Sequence, residues 1–254
     1  MADVTIDGIR VVLEGEITSG GPVIFAVHGS GGGAWLWRRM RNALAERASI
    51  IAVDLPGHGA TGFKGLTSIE DYRETVRTVA GELGLERPFA MGHSMGGAVI
   101  LDWAINYPEE LAGLVLVATG ARLRVKQGIF QSIKENYDGY LAGLEKAAFG
   151  EDVPNDVLEE TRKHSKLASS ETTYNDFVAC DNFDIMEEIE RINLPALVLC
   201  GDSDLLTPLK YSEYSARKMP DAQLKTFPGA GHMLPVERPA QAADAIMDWL
   251  GTIE

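Results

Sequence analysis

Cysteine is scarce: Cys180 and Cys200 are the two in 254 residues, too few and too far apart in sequence for a disulfide framework or a zinc site. Buried free thiols are the expected reading. No apolar run approaches the ~20 residues of a membrane span. The N-terminus MADVTIDGIR also lacks the basic start and apolar stretch of a secretory signal. A cytoplasmic protein with no membrane partner is expected. Positive charge is short as well, with 23 Lys and Arg against 37 Asp and Glu and a formal net charge of -14. Such a chain repels a polyphosphate, so nucleic acid is not an expected partner. No His/Cys/Asp cluster has ligand spacing, so neither a metal nor an organic cofactor is expected. Oligomeric state leaves no mark in the sequence.

What is present is enough chain for one large α/β domain with an insertion. Apolar β-rich runs alternate with amphipathic stretches, the order of a mostly parallel sheet with helices on both faces. Runs at 4–6 and 9–13 flank Asp7-Gly8, a pair suited to a tight hairpin turn. Further strands are expected at 23–27, 50–53, 88–91, 114–117, 196–200 and 223–227, making eight. Helices are expected near 35–46, from 69 to about 83 with Ser68 as N-cap, 95–106, 211–218 and 239–250. From 120 to 193 the β-signals disappear and the sequence turns polar, charged and helical in pattern. That stretch reads as a helical cap inserted in a core made of 1–119 and 194–254.

The strongest chemical signal is Gly92-His93-Ser94-Met95-Gly96-Gly97, a G-x-S-x-G pattern between an apolar strand and an apolar helix. A serine on that sharp turn projects its hydroxyl clear of the sheet, and the glycines leave room for the bent backbone. The bland alternative is a glycine-rich turn with a capping serine. A serine hydroxyl needs a base. For this strand order the partners arrive as serine, acid, histidine. His28, His58 and His93 precede Ser94, and His164 lies in the cap stretch. His232, in Gly229-Ala230-Gly231-His232 after a late strand, remains as base. Gly201-Asp202-Ser203-Asp204 offers two acids, and spacing does not separate them. A second glycine run, His28-Gly29-Ser30-Gly31-Gly32-Gly33, ends in Ala34 and Trp35 rather than the lysine and hydroxyl of a phosphate-binding loop.

With His28–Gly33, Asp54-Leu55-Pro56-Gly57-His58-Gly59, the Ser94 turn and the late Asp and His loops, the chain resembles the α/β-hydrolase superfamily over nearly its whole length. The resemblance is to the branch of small carboxylesterases, lactone hydrolases and haloperoxidase-like esterases. It implies a G-x-x-D-x-x-x-P acid motif met by Gly201, Asp204 and Pro208, so Asp204 is the acid and Asp202 a loop stabiliser. It also implies oxyanion donors at the amides of Met95 and Ser30, with Gly31 as runner-up. His28, the Asp54–Gly59 turn and Glu237 are expected to be structural. Gly31, His93, Trp35 and Trp37 are candidates for the substrate pocket, core packing being the alternative for the tryptophans. Arg122, Arg124 and Lys126 at the cap entrance are candidates to bind a substrate carboxylate, solvated charge being the alternative. The implied activity is hydrolysis of a small-molecule ester or lactone through an acyl-enzyme. Carbon–carbon or thioester hydrolysis on the same triad, and a non-enzymatic receptor, are the other readings.

Overall fold

The computed structural model describes residues 2–6, 9–13, 21–44, 47–59, 61 and 64–253. Strands that are apolar at nearly every position must be covered on both faces, which a parallel sheet between helical layers achieves. β3 (Val23–Val27), β4 (Ser49–Val53), β5 (Phe89–His93), β6 (Gly113–Val117) and β7 (Ala196–Gly201) are such strands, buried almost throughout. β8 (Ala222–Phe227) is largely exposed and carries Gln223, Lys225 and Thr226, as suits a sheet edge. β1 (Ala2–Ile6) and β2 (Ile9–Leu13) form the opposite margin. The eight-stranded order is β1-β2-β4-β3-β5-β6-β7-β8. β1–β2 and β2–β4 are antiparallel, and the remaining pairs are parallel. Ile6 pairs with Ile9, while the expected Asp7-Gly8 turn lies outside the described residues.

Alternation along each strand sends successive side chains to opposite faces. Phe25 and Val27 join one core cluster with Tyr72, Val99 and Trp103. Ile24 and Ala26 join another with Trp37, Met40, Ile246 and Trp249. α2 (Ile69–Glu82) and α3 (Met95–Asn106) pack together on the first face, α1 (Arg38–Leu44) and the C-terminal helix Pro239–Leu250 on the second. Ser68 caps α2 as expected, its Oγ accepting from Asp71 N at 3.1 Å. The helix expected near residue 35 begins instead as a 3-10 turn, Ala34–Trp37, and becomes α-helical at Arg38. Tight turns of this kind are common at helix starts.

Between β6 and β7 the chain forms four α-helices, α4 (Gln127–Glu135), α5 (Tyr137–Ala148), α6 (Asn155–Ser165) and α7 (Ser170–Asn182), and a 3-10 turn, Ile189–Arg191. A bridge between Arg122 and Asp184 closes the neck of this insertion. The indole of Trp35 stacks on His164 of α6 at 4.9 Å. Arg38 and Arg39 pair with Glu160. The insertion thus touches the 3-10 turn and the start of α1 that follow β3. After β7 come α8 (Leu209–Lys218), β8, a short α9 (Leu234–Glu237) that the sequence patterns did not signal, and α10 (Pro239–Leu250). Because β4 and β5 flank β3 on opposite sides, the strand order reverses there. The crevice at the carboxyl ends of β3 and β5 is where such sheets hold ligands.

Candidate active site

Ser94 stands where β5 passes into α3, with φ 52° and ψ -117°. Positive φ is strained for a side chain larger than glycine's and persists only where neighbours enforce it. Here Ser94 N donates to Val117 O at 3.0 Å, and Thr119 Oγ1 donates to Ser94 O at 2.8 Å. The motif glycines permit the packing: a Cβ on Gly92 would collide with the Gly96 carbonyl, one on Gly96 with the Val27 carbonyl oxygen, and one on Gly97 with Thr119. The Ser94 hydroxyl makes no capping bond to its own helix.

His232 follows β8 in a loop tied down on several sides. Its N donates to Ala148 O at 2.7 Å. The buried carboxylate of Glu237 accepts from Gly231 N at 3.0 Å and from Gly150 N at 2.9 Å. Burial pushes the Glu237 pKa up despite these bonds. The ring of His93 lies 4.7 Å from that of His232, and His93 Nε2–H donates to the His232 carbonyl at 2.9 Å. Burial, with His232 close by, takes the His93 pKa down to about 3, so His93 is a neutral clamp on the His232 backbone. Sequence reasoning placed His93 beside the pocket but missed this bond.

The two aspartates part company in space. Asp204 is 3% exposed and its Oδ2 accepts from His232 Nδ1 at 2.9 Å and from Thr207 Oγ1 at 2.8 Å. Its Oδ1 accepts from the amides of Leu206 and Thr207 at 2.8 and 2.9 Å. Burial alone would raise the Asp204 pKa, but the histidine and the Thr207 donors outweigh it and the pKa is lowered. Asp202 is exposed and accepts from Gly229 N at 2.8 Å, joining the loop after β7 to the loop after β8. With the proton on His232 Nδ1 directed at Asp204, Nε2 carries the free lone pair.

Ser94, His232, Thr207 and Leu206 border a cavity of about 150 Å3. A neighbouring one of about 370 Å3 is bordered by Gly29–Gly32, Trp35, Leu141 and Phe149. Ser30, His93, Tyr140 and Met233 border both. Gly31 and Trp35 border the larger cavity. Trp37 does not: it is 1% exposed among Met40, Leu44 and Trp249, bordering neither cavity. Two residues further along the turn, it joins the core cluster that holds Ile24, Ala26 and Ile246. Of the basic trio, Arg124 borders the smaller cavity, but Arg124 donates to Asp181 O and, with Arg122, pairs with Asp184. Lys126 is exposed at the start of α4.

The loop after β3 is held from three directions. His28 Nε2 accepts from Leu55 N at 3.0 Å and Nδ1–H faces Gly29 O at 2.8 Å. Burial, reinforced by His58, keeps His28 neutral, with its pKa well below the usual value. Asp54 accepts from Ala34 N at 2.7 Å. Gly31, at φ 62°, donates its N–H to Asp176 of α7 at 2.8 Å. The Gly31 amide is thus occupied, whereas the amides of Ser30 and Met95 donate to no acceptor among the described residues. The two residues adjoin, Ser30 Oγ standing 3.6 Å from Met95 Sδ. Asp176 went unnoticed in the sequence. Both cysteines are buried and free, and among the described residues no group of three or more His, Cys, Asp or Glu side chains is placed to hold a metal.

A family model described as the alpha/beta hydrolase family matches residues 23–245. The chain is 26% identical to an uncharacterised hydrolase of Bacillus subtilis (strain 168), over 97% of this chain and 96% of that protein. Among solved structures it is similar to a thermophilic esterase from Thermogutta terrifontis, with 26% identity, a TM-score of 0.86, and 96% and 94% of the two chains covered. An enol-lactonase from Burkholderia xenovorans LB400 shares the fold at 22% identity and a TM-score of 0.90, covering 98% of this chain and 100% of that one.

Proposed function

The chain belongs to the alpha/beta hydrolase family, and from that membership and the site geometry we propose that it cleaves a small carboxylic ester or lactone through an acyl-enzyme on Ser94. The observation that carries this is the Asp204–His232 bond, 2.9 Å from Oδ2 to Nδ1, beside a serine held at positive φ on the same cavity. His232 Nε2 takes the Ser94 proton as the oxygen attacks the carbonyl, and Asp204 stabilises the imidazolium. The amides of Ser30 and Met95 receive the negative oxygen of the tetrahedral intermediate; each such donor contributes on the order of 3 kcal/mol to lowering the barrier. His232 then gives its proton to the departing alcohol, and water repeats the sequence on the acyl-enzyme. No metal or organic cofactor is required. Similarity to an esterase from Thermogutta terrifontis supports the ester reading.

Direction follows from the proton. The leaving oxygen must lie within reach of His232, so the alcohol occupies the cavity of about 150 Å3 that His232 borders. The acyl group extends past Ser30 into the cavity of about 370 Å3 beneath α5 and α6. Both are bounded by the insertion, which acts as a cap. A hydrolysis screen tests this: esters of small alcohols with acyl chains of increasing length, beside lactones, thioesters and a diketo acid. Best rates are expected with short or medium acyl chains and small alcohols. Preference for long-chain emulsified lipid, or for a bulky alcohol on a minimal acyl group, would overturn it.

A further inference from the structure

Thr173, Asp176 and Cys180 fall at i, i+3 and i+7 along α7 and so share one face. That face lies along the loop after β3. A Cβ on Gly31 would meet Thr173 Oγ1 at 3.3 Å. Cys180 Sγ is 3.6 Å from Ser30 Oγ. Between them Asp176, fully buried, binds three partners from three parts of the chain. Its Oδ2 accepts from Gly31 N at 2.8 Å and from His58 Nε2 at 2.9 Å, and its Oδ1 accepts from Tyr72 Oη at 2.6 Å.

A buried carboxylate beside a developing oxyanion would oppose it unless neutralised. His58 supplies the neutralising charge. Its Nδ1 faces Pro56 O at 3.1 Å while Nε2 faces Asp176, so both nitrogens meet acceptors and both carry protons. Burial disfavours that charge, but Asp176 outweighs it and the His58 pKa is raised. His58 thus opposes the charge of Asp176 where that carboxylate meets the loop. The peptide plane joining Ser30 to Gly31 is rigid. Fixing its N–H fixes one side of Ser30, whose own amide lies two single-bond rotations away.

We propose that Asp176 is a positioning residue for the oxyanion hole, holding the Ser30–Gly31 peptide so that the Ser30 N–H points at the reacting oxygen. This rests on the assignment of Ser94 as nucleophile. It makes α7 part of the catalytic apparatus through the loop it grips. A role confined to holding the fold would lower the number of active molecules and leave each remaining one unchanged. The two roles therefore separate when kcat is counted per Ser94 titrated with a fluorophosphonate.

Asp176→Leu removes the acceptor while keeping the bulk. Per titrated site, kcat is expected to fall about 100-fold with KM within about threefold, the scale for a misplaced or lost donor. Affinity for a trifluoromethyl ketone, which adds to Ser94 as a tetrahedral oxyanion, should fall by the same factor. Asp176→Asn can still present an oxygen to Gly31 and His58, with its amide nitrogen toward Tyr72, and is expected to stay within about tenfold of wild type. Should the leucine variant fail to fold, Tyr72→Phe carries the test. Removal of one hydroxyl on Oδ1 is expected to lower kcat and ketone affinity together, by about fivefold. Values within twofold of wild type for both quantities, in a folded Asp176→Leu or failing that in Tyr72→Phe, overturn the proposal alone. A wild-type chain that takes no fluorophosphonate overturns the Ser94 assignment and this proposal together.

Discussion

At Ser94 the backbone is held at φ 52° and ψ -117°, a conformation that costs a residue with a Cβ on the order of 1–3 kcal/mol. Ser94→Ala keeps that strain and loses the oxygen, so turnover should vanish with an unchanged melting temperature. Ser94→Gly should melt higher than Ser94→Ala, because glycine alone is at ease there; equal or lower melting would contradict enforced strain. The aspartates give a second residue-scale prediction. Asp204→Asn presents an amide to His232 Nδ1 and favours the wrong tautomer, and kcat is expected to drop by about 10,000-fold with KM little changed. Asp202→Asn touches only the loop bonds from Gly229 N and Ser203 Oγ and should cost about 1 kcal/mol of stability in a thermal melt with kcat nearly intact. The reverse pattern would move the acid to Asp202. Spacing in the sequence left the two equivalent, and the family resemblance chose Asp204. The structure distinguishes them by direction: one side chain turns inward to the imidazole, the other outward to a neighbouring loop.

Among elements, the strand–turn–helix around residue 94 was the most legible, because its glycines fall at fixed offsets from the serine within one short run of sequence. Gly96 sits against the Val27 and His28 carbonyls. Gly96→Ala must push α3 off β3, and a loss of more than about 3 kcal/mol, or no folded protein, is expected by denaturant titration. Gly81, exposed in the last turn of α2 with nothing within 4 Å of an added Cβ, should accept Ala with a gain of about 0.5 kcal/mol, since alanine is the better helix former. The inserted helices were legible only as helices. α7 buries Thr172, Thr173 and Asp176 beside Ala179 and Cys180 rather than a wholly apolar stripe, and polar residues in a charged stretch read as solvated. The partners of Asp176 stand 145, 118 and 104 residues away in the chain, so no local pattern could announce them. The i, i+3, i+7 recurrence of Thr173, Asp176 and Cys180 was the available signal. The short helix Leu234–Glu237 escaped notice because four residues give no period to read.

For the molecule as a whole, buried histidines set the response to acid. His28 and His93 are neutral in the fold, their pKa values depressed chiefly by burial, to about 3 for His93. Between that value and the ordinary 6.5, the unfolded chain binds protons the native chain does not. Stability therefore falls as pH drops below about 6.5, by ~1 kcal/mol per pH unit for each such group. His58, with a raised pKa, acts in the other direction: its contribution is fully present below 6.5 and is lost as pH rises through its folded value. Asp204, with a lowered pKa, contributes fully above the ordinary carboxylate range and loses that contribution as pH falls through its folded value. Melting temperature should decline from pH 6.5 to 5, less steeply in His93→Asn; a flat or rising profile would contradict the neutral assignment. The eight strands and the net charge of -14 are whole-chain properties the sequence displayed openly, whereas the strand order and the division of the site into two cavities depend on contacts between distant segments and on how the insertion settles over the strand ends. That the molecule works through an acyl-enzyme on Ser94 is tested most directly by fluorophosphonate labelling with peptide mapping. One adduct per chain is expected, on Ser94, absent from Ser94→Ala and much slower to form in His232→Ala. An adduct on another residue, or ester hydrolysis by a chain that takes no label, would contradict it.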